Sequence, residues 1–255
     1  MNSEKTDGVV LRIVEFSESS CIVTWFTRDF GKVTTMAKGA RRRKNPFEGA
    51  IDVLSFSKIV FLHKRSDSLD LLTEAKLERR FRTAAKDLHR LYCGYHLLEL
   101  LNCLTDDFDP HPALYDQLER TLVRLESEEN LAPLMTCFEL QLLKELGHSP
   151  EWKFCVNCGV EIERHSRVAF APVEGGVVCR RCRVGRRQVI SIARQVADEL
   201  EFLSRANLSQ DVELGRLGGL GESRGLMGQI LQHLIGRPLR VLPLLGFLGR
   251  PEPAK

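Results

Sequence analysis

The sequence predicts an α+β protein: a small β-barrel, then helices, with a cysteine module inserted among them. Three observations carry this. Residues 7–78 hold five strand-like runs and no helical period. From about residue 80, apolar side chains recur at helical spacing. Between residues 151 and 190 that period breaks around two C-x2-C pairs.

The strands come in order. "GVVLRIV" is β-branched, and "SCIVTWFTRDFGKVTTMAK" reads as two strands turning at Asp29–Gly31. "IDVLSFSKIVFLH" is a longer strand. "SLDLLTEAKLE" alternates, putting Leu69, Leu71, Thr73, Ala75 and Leu77 on one side. Five strands in about eighty residues suit a Greek-key barrel of the OB type; by strand count an SH3-like barrel is the alternative. Trp25, Phe26, Phe56 and Phe61 are expected in the core, and Phe47 is the best candidate for an exposed aromatic.

Leu88, Leu91, Tyr92, Tyr95 and Leu98 mark a first helix, with its tyrosines expected in the core. Leu114, Leu118, Leu122 and Leu125 mark a second. Leu131, Leu134, Met135, Phe138, Leu142 and Leu146 mark a third, stopped at Gly147. Later, Ser191 is expected to cap a helix carrying Ile192, Val196, Leu200 and Leu203. Ser223 is expected to cap a last one, ended by Gly236 and Pro238. The glycine-rich "DVELGRLGGLGES" reads as a loop or a short helix with a loop. The expected divisions are a barrel at 1–80, helices at 81–150, a zinc module at 151–190, helices again at 191–248 and a disordered tail at 249–255.

The net charge of +3 hides an asymmetry. Residues 1–80 carry 15 Lys and Arg against 11 Asp and Glu, and residues 151–190 carry 8 against 4. Residues 81–150 between them carry 6 against 12. The first basic segment culminates in "AKGARRRKNPFEG", where Lys38, Arg41, Arg42, Arg43 and Lys44 crowd seven positions flanked by glycine and proline. Such a loop is either a solvated surface or a polyanion contact. No run of apolar residues reaches membrane-spanning length, and "MNSEKTDG" is too polar for an export signal, so a reducing cytoplasm is expected.

Cys155, Cys158, Cys179 and Cys182 follow the spacing C-x2-C, twenty residues, C-x2-C. Each pair presents two thiolates on a tight turn. The intervening "VAFAPVEGGVVC" reads as a hairpin, turning at Gly175–Gly176, that unites them into a tetrahedral site. Four thiolates leave no open coordination position, so one structural Zn2+ per chain is expected. An iron–sulfur cluster or a redox pair ranks lower, and His165 is an unneeded fifth donor. Arg180, Arg181, Arg183, Arg186 and Arg187 surround the second pair, either balancing the tetrathiolate charge or contacting phosphate. Cys21, Cys93, Cys103 and Cys137 are expected to be buried hydrophobes. No G-x-S-x-G, Walker A or H-E-x-x-H motif is present. Asp106, Asp107 and Asp109 in "TDDFDPHP" read as a helix end and polar loop.

"TDGVVLRIVEFSESSCIVTWFTRDFGKVTTMAKGARRRKNPFEG" followed by "LLTEAKLERRF" resembles the N-terminal barrel of RecO, the bacterial recombination-mediator family. "FELQLLKELGHSPEWKFCVNCG" is similar to that family's approach to its zinc site, and "LQHLIGRPLRVLPLL" to its C-terminal signature. The resemblance runs from about residue 6 to 248; the glycine-rich 215–221 stretch and the tail fall outside what can be mapped.

The resemblance implies an OB barrel, a helical domain and a zinc module. It implies a non-enzymatic DNA repair and recombination mediator that binds single- and double-stranded DNA, anneals complementary strands and helps load recombinase. The implied partners are RecR, the C-terminal tail of the single-strand-binding protein and, downstream, RecA. Some members lack the cysteines, so the activity would not depend on zinc chemistry. Within this frame Lys38, Arg41, Arg42, Arg43 and Lys44 are the leading DNA contacts, with Arg180, Arg181 and Arg183 next. Arg120 and Arg124, or Arg237 and Arg240, are candidate rims for the acidic tail. The competing readings are a protein-docking scaffold whose DNA contact is secondary and a zinc-bearing nucleic-acid enzyme.

Overall fold

A computed structural model of the chain describes residues 2–47, 49–64, 69–82, 87–127, 130–163, 165–206 and 218–250. It divides into two compact units, Met1–Glu126 and Ser127–Lys255. The first two helices therefore group with the barrel. The expected glycine-rich loop lies mostly outside the described residues, as does the tail from 251.

The first unit is built on five strands: β1 (Asn2–Glu15), β2 (Cys21–Thr27), β3 (Gly31–Ala37), β4 (Ser55–His63) and β5 (Asp70–Arg80). They close in the order β1-β2-β3-β5-β4, with β1 paired antiparallel to both β2 and β4 and with β3 parallel to β5. This OB order settles the choice against an SH3-like barrel. The interior is filled by Val10, Val23, Trp25, Val33, Ile59 and Phe61, with Trp25 Nε1 donating to Thr35 Oγ1 at 3.0 Å. The expected single face of β5 is broken by a bulge in β5 itself: the consecutive Val60 and Phe61 of β4 pair with Glu74 and Leu72, leaving Thr73 as the extra residue. Ala75 and Leu77 lie on the more buried face, but beyond the bulge the phase flips: Asp70 and Leu72 are buried and Leu69 is exposed. A bulge slips one strand past its partner, and the alternating side chains exchange faces.

Helices α1 (Leu88–Leu104) and α2 (Pro112–Ser127) complete this unit. Asp87 caps α1, accepting from the backbone N–H groups of His89 and Arg90. The α1 stripe differs from the expected one. Cys93, Gly94, His96, Leu97, Leu98 and Leu101 are buried, whereas Leu88 and Tyr95 are exposed. The helix is apolar on more than one side, so spacing alone selects the wrong face. On α2, Leu114, Leu118, Leu122 and Leu125 are buried as expected, and Tyr115 packs between Phe26 and Phe56. The acidic segment after α1 seats on the turn into β3. Phe108 N–H donates to the Lys32 carbonyl at 3.0 Å, and Lys32 Nζ lies 3.6 Å from Asp107. Gly31 makes this docking feasible: its φ is +65°, and a Cβ there would stand 2.0 Å from the Asp109 carbonyl oxygen.

The second unit opens with α3 (Leu131–Glu145), followed by Gly147 at φ +76°. A three-stranded antiparallel sheet follows, in the order β7 (Gly176–Val178), β6 (Arg167–Ala171), β8 (Ile190–Ala193). A one-turn helix α4 (Arg180–Arg183) lies between β7 and β8. Ser191 and Ile192 thus belong to a strand. Helix α5 (Arg194–Arg205) starts at an Ala193 cap with no side-chain bond, because pairing of 190–193 with β6 overrides the serine's capping preference. Val196, Leu200 and Leu203 of α5 are buried. Ser223 likewise lies inside α6 (Leu220–Ile235), buried in its first turn, while Gly219 occupies the cap position. Gly236 ends α6 in the left-handed conformation, and a 3-10 helix spans Leu242–Gly249. Within this unit Arg224 forms a buried fork on Glu139, with contacts of 2.6 and 2.9 Å, and reaches Thr136 at 3.2 Å. Such a fork satisfies both charges away from water. Among the described residues no helix is long and apolar enough to cross a membrane.

Candidate metal centre and nucleic-acid interface

The four cysteines are brought together by the sheet. Val177 N–H donates to the Glu151 carbonyl at 2.9 Å, Glu151 N–H to the Gly175 carbonyl at 3.0 Å and Val156 N–H to the Val177 carbonyl at 3.0 Å. The strand-like approach at 151–156 therefore runs beside β7, which leads directly into Cys179. Gly176 permits the approach, since a Cβ there would meet the Glu151 carbonyl oxygen at 2.8 Å. Trp152 stacks on Phe170, with ring centroids 5.1 Å apart, beneath the knuckle. The first turn closes through Gly159 N–H to the Cys155 carbonyl (2.8 Å), the second through Arg183 N–H to the Cys179 carbonyl (2.9 Å).

The four Sγ atoms lie within 4.8 Å of one another, and Cys158 and Cys179 are 3.8 Å apart. A metal–sulfur distance of about 2.3 Å puts the corners of a tetrahedron about 3.8 Å apart, so the set fits a four-coordinate, thiolate-binding ion. The surroundings favour thiolates at two positions. Burial raises the Cys155 pKa, but backbone N–H donors from Cys179, Asn157 and Cys158 outweigh it and bring the thiol to about 6. The backbone N–H of Cys182 lowers Cys179. At Cys182, Asn157 Nδ2 donates to Sγ and pulls the pKa down, yet the neighbouring sulfurs push it up to about 11. A bound cation would offset that crowding. Among the described residues these cysteines form the only cluster of this kind. His165 instead contacts Glu163 at 2.8 Å, and Asp107 and Asp109 are engaged by Lys32 and His111. Cys21, Cys93 and Cys137 are buried and Cys103 half-buried.

The nearby arginines differ in their engagement. Arg186 braces the module, donating to the Cys182 carbonyl at 2.7 Å and to Asn157 Oδ1 at 3.2 Å, and pairing with Glu174. Arg180, Arg181 and Arg183 are exposed. They line a cleft of about 510 Å³ with Val160, Ile162 and Val168.

The basic loop leaves β3 at the barrel rim. Lys38, Arg41, Arg42, Arg43 and Lys44 are all exposed. Arg41 is engaged: Nη2 lies 3.1 Å from Glu15, Nη1 donates to the Ser17 carbonyl at 3.0 Å, and its backbone N–H donates to the Ser19 carbonyl at 3.1 Å. Among the described residues Lys38, Arg42, Arg43 and Lys44 have no carboxylate partner. The loop's second half folds inward, and Phe47, the best candidate for exposure among aromatics mostly assigned to the core, is 4% exposed in the barrel core. Proline and glycine around Phe47 hide its role in the sequence, because no periodicity marks a residue that plugs a barrel end from a loop. The candidate tail rims lie in separate units, Arg120 and Arg124 on α2 and Arg237 and Arg240 after α6.

Fold and site together define an OB-barrel protein with a basic rim loop and a four-cysteine module whose geometry fits a metal ion. Residues 1–81 match the family model described as Recombination protein O N terminal, and residues 85–243 match Recombination protein O C terminal. The chain belongs to the RecO family. It is 39% identical over 262 residues to the DNA repair protein RecO of Rhodopirellula baltica, covering 93% of this chain and 97% of that one. It is 31% identical over 236 residues to RecO of Exiguobacterium sibiricum, with 92% and 91% covered, and 27% identical over 260 residues to RecO of Syntrophus aciditrophicus, with 97% of each covered.

Proposed function

We propose that this protein is a non-enzymatic DNA repair mediator. It binds single- and double-stranded DNA, anneals complementary strands and helps load recombinase onto strands coated by single-strand-binding protein. The observation that carries this is the rim loop of an OB barrel that leaves Lys38, Arg42, Arg43 and Lys44 exposed and without carboxylate partners among the described residues. Annealing needs no bond chemistry. It needs two phosphate chains brought close with their charge neutralised and base edges left free, and an exposed cationic loop does this without reading sequence. Arg180, Arg181 and Arg183 on the metal module are a second phosphate-contacting surface. The ion is Zn2+, which cross-links two turns and performs no reaction. RecR, the acidic tail of single-strand-binding protein and, indirectly, RecA are the partners in this reading, acting in the cytoplasm at the nucleoid.

A strand-annealing assay on bare and protein-coated complementary strands tests the reading. Acceleration on both substrates, without nucleotide hydrolysis or strand cleavage, is the expected result. Tight partner binding with no annealing and no DNA affinity would favour the docking-scaffold alternative instead.

A further inference from the structure

Phe16 opens the β1–β2 connection and is 60% exposed. It makes no ring or cation contact with another described residue. The turn that carries it is ordered by its own bonds, Phe16 N–H to the Ser20 carbonyl at 3.1 Å and Ser20 N–H to Ser17 Oγ at 3.2 Å. It is also clasped by the basic loop, since Arg41 reaches Glu15, Ser17 and Ser19 together. Arg41 thus joins the two loops, and the turn carrying Phe16 is held against the start of a run of cations that have no carboxylate partner among the described residues.

The other exposed phenylalanines are differently placed. Phe108 lies against His63 at 4.9 Å, and Phe154 carries Lys153 5.3 Å above its ring. Phe202 is on α5, next in sequence to Glu201.

We propose that Phe16 is a base-stacking platform for single-stranded DNA, with Arg42, Arg43 and Lys44 holding the adjoining phosphates. This deepens the DNA-binding reading above and rests on it. A planar ring in water gains by stacking on any unpaired base, whatever its identity, whereas a duplex keeps its bases stacked internally. Phe16 would therefore separate single from double strands, which the cations alone cannot do. Glu15, the exposed carboxylate next in sequence, is paired with Arg41, and Glu18 is exposed two residues further on.

Phe16→Ala in the full chain should lower affinity for an oligo-dT strand about five-fold or more, leaving the salt slope unchanged. Duplex affinity should hold, and the loss should vanish on an abasic strand of equal length. Phe16→Trp should retain binding and report it. Trp25 and Trp152 are 0% and 3% exposed, so the new indole is the accessible one; oligo-dT should quench it and duplex should not. A folded Phe16→Ala protein that binds oligo-dT as the parent does, or that loses equally on the abasic strand, overturns the stacking role while the DNA-binding reading stands. A parent protein that binds no single strand overturns both.

Discussion

Consider Arg42, Arg43 and Lys44 replaced together by alanine. All three side chains are exposed and lack a carboxylate partner among the described residues, so each is free to neutralise a phosphate. Arg41 is omitted because removing it would also unfasten the β1–β2 turn from Ser17 and Glu15. On a single strand each phosphate contact contributes about −0.7 to the slope of log affinity against log salt, so losing three flattens it by about 2. A slope difference of that size means the parent loses roughly 18-fold more affinity than the variant between 50 and 200 mM salt. The loss at low salt should be similar for all base sequences, because phosphates carry no sequence information. Stability should stay within about 0.5 kcal/mol, as is usual for exposed loop positions. The assay is fluorescence anisotropy of a labelled single strand across salt concentrations, with a thermal melt of the same preparations. An unchanged slope in a fully folded variant would refute the assignment of this loop to DNA and move attention to Arg180, Arg181 and Arg183.

Two further outcomes test the scaffold. Freshly purified protein should hold one zinc per chain by elemental analysis, and Cys158→Ser should lose it and loosen the 151–190 module, because metal-binding energy at such a site is largely folding energy; a metal-free parent, or a serine variant as stable as the parent, would contradict the site. Asp87→Ala should cost about 1 kcal/mol of stability by uncapping α1. Burial raises the Asp87 pKa, but the bonds from Arg90 and His89 prevail and hold it below the ordinary aspartate value. The cap's contribution is therefore present above the unfolded-state pKa and fades as pH falls through the folded one, so the stability gap between parent and variant, followed by urea melts, should close in acid.

The barrel's strands were legible wherever alternation is local. The pattern in β2 and β3 puts Val23, Trp25, Val33 and Thr35 inward, and the structure keeps them there. Two things were not legible. The first half of β1 is polar and forms a strand only because Asn2 to Thr6 pair with β4, a partner more than fifty residues away. The phase of β5 flips at Thr73, an extra residue that only the pairing with β4 reveals. A period-2 reading assumes an unbroken register, and register belongs to the pair of strands, not to either one. Ser191 and Ser223 failed for a related reason: capping preference is worth about 1 kcal/mol, and strand pairing in one case and burial in the other outweigh it.

The four-cysteine cluster and the basic loop differ in the same respect. Two cysteines on a tight turn constrain each other locally, and a twenty-residue hairpin leaves few other ways to meet, so the spacing alone pointed to Cys155, Cys158, Cys179 and Cys182. The basic run was visible because like charges were consecutive. What could not be read was which of its members is free. Arg41 and Arg42 are neighbours with the same side chain, yet one is bound to Glu15 and Ser17 and the other is not. The difference is made by a turn twenty-odd residues earlier. That same turn decides the aromatic: Phe47 sits within the basic stretch and is buried, while Phe16 lies far from it in sequence and is exposed where the two loops join. Composition finds the charges that attract a polyanion. The contacts that tie one loop to another decide which ring is left exposed.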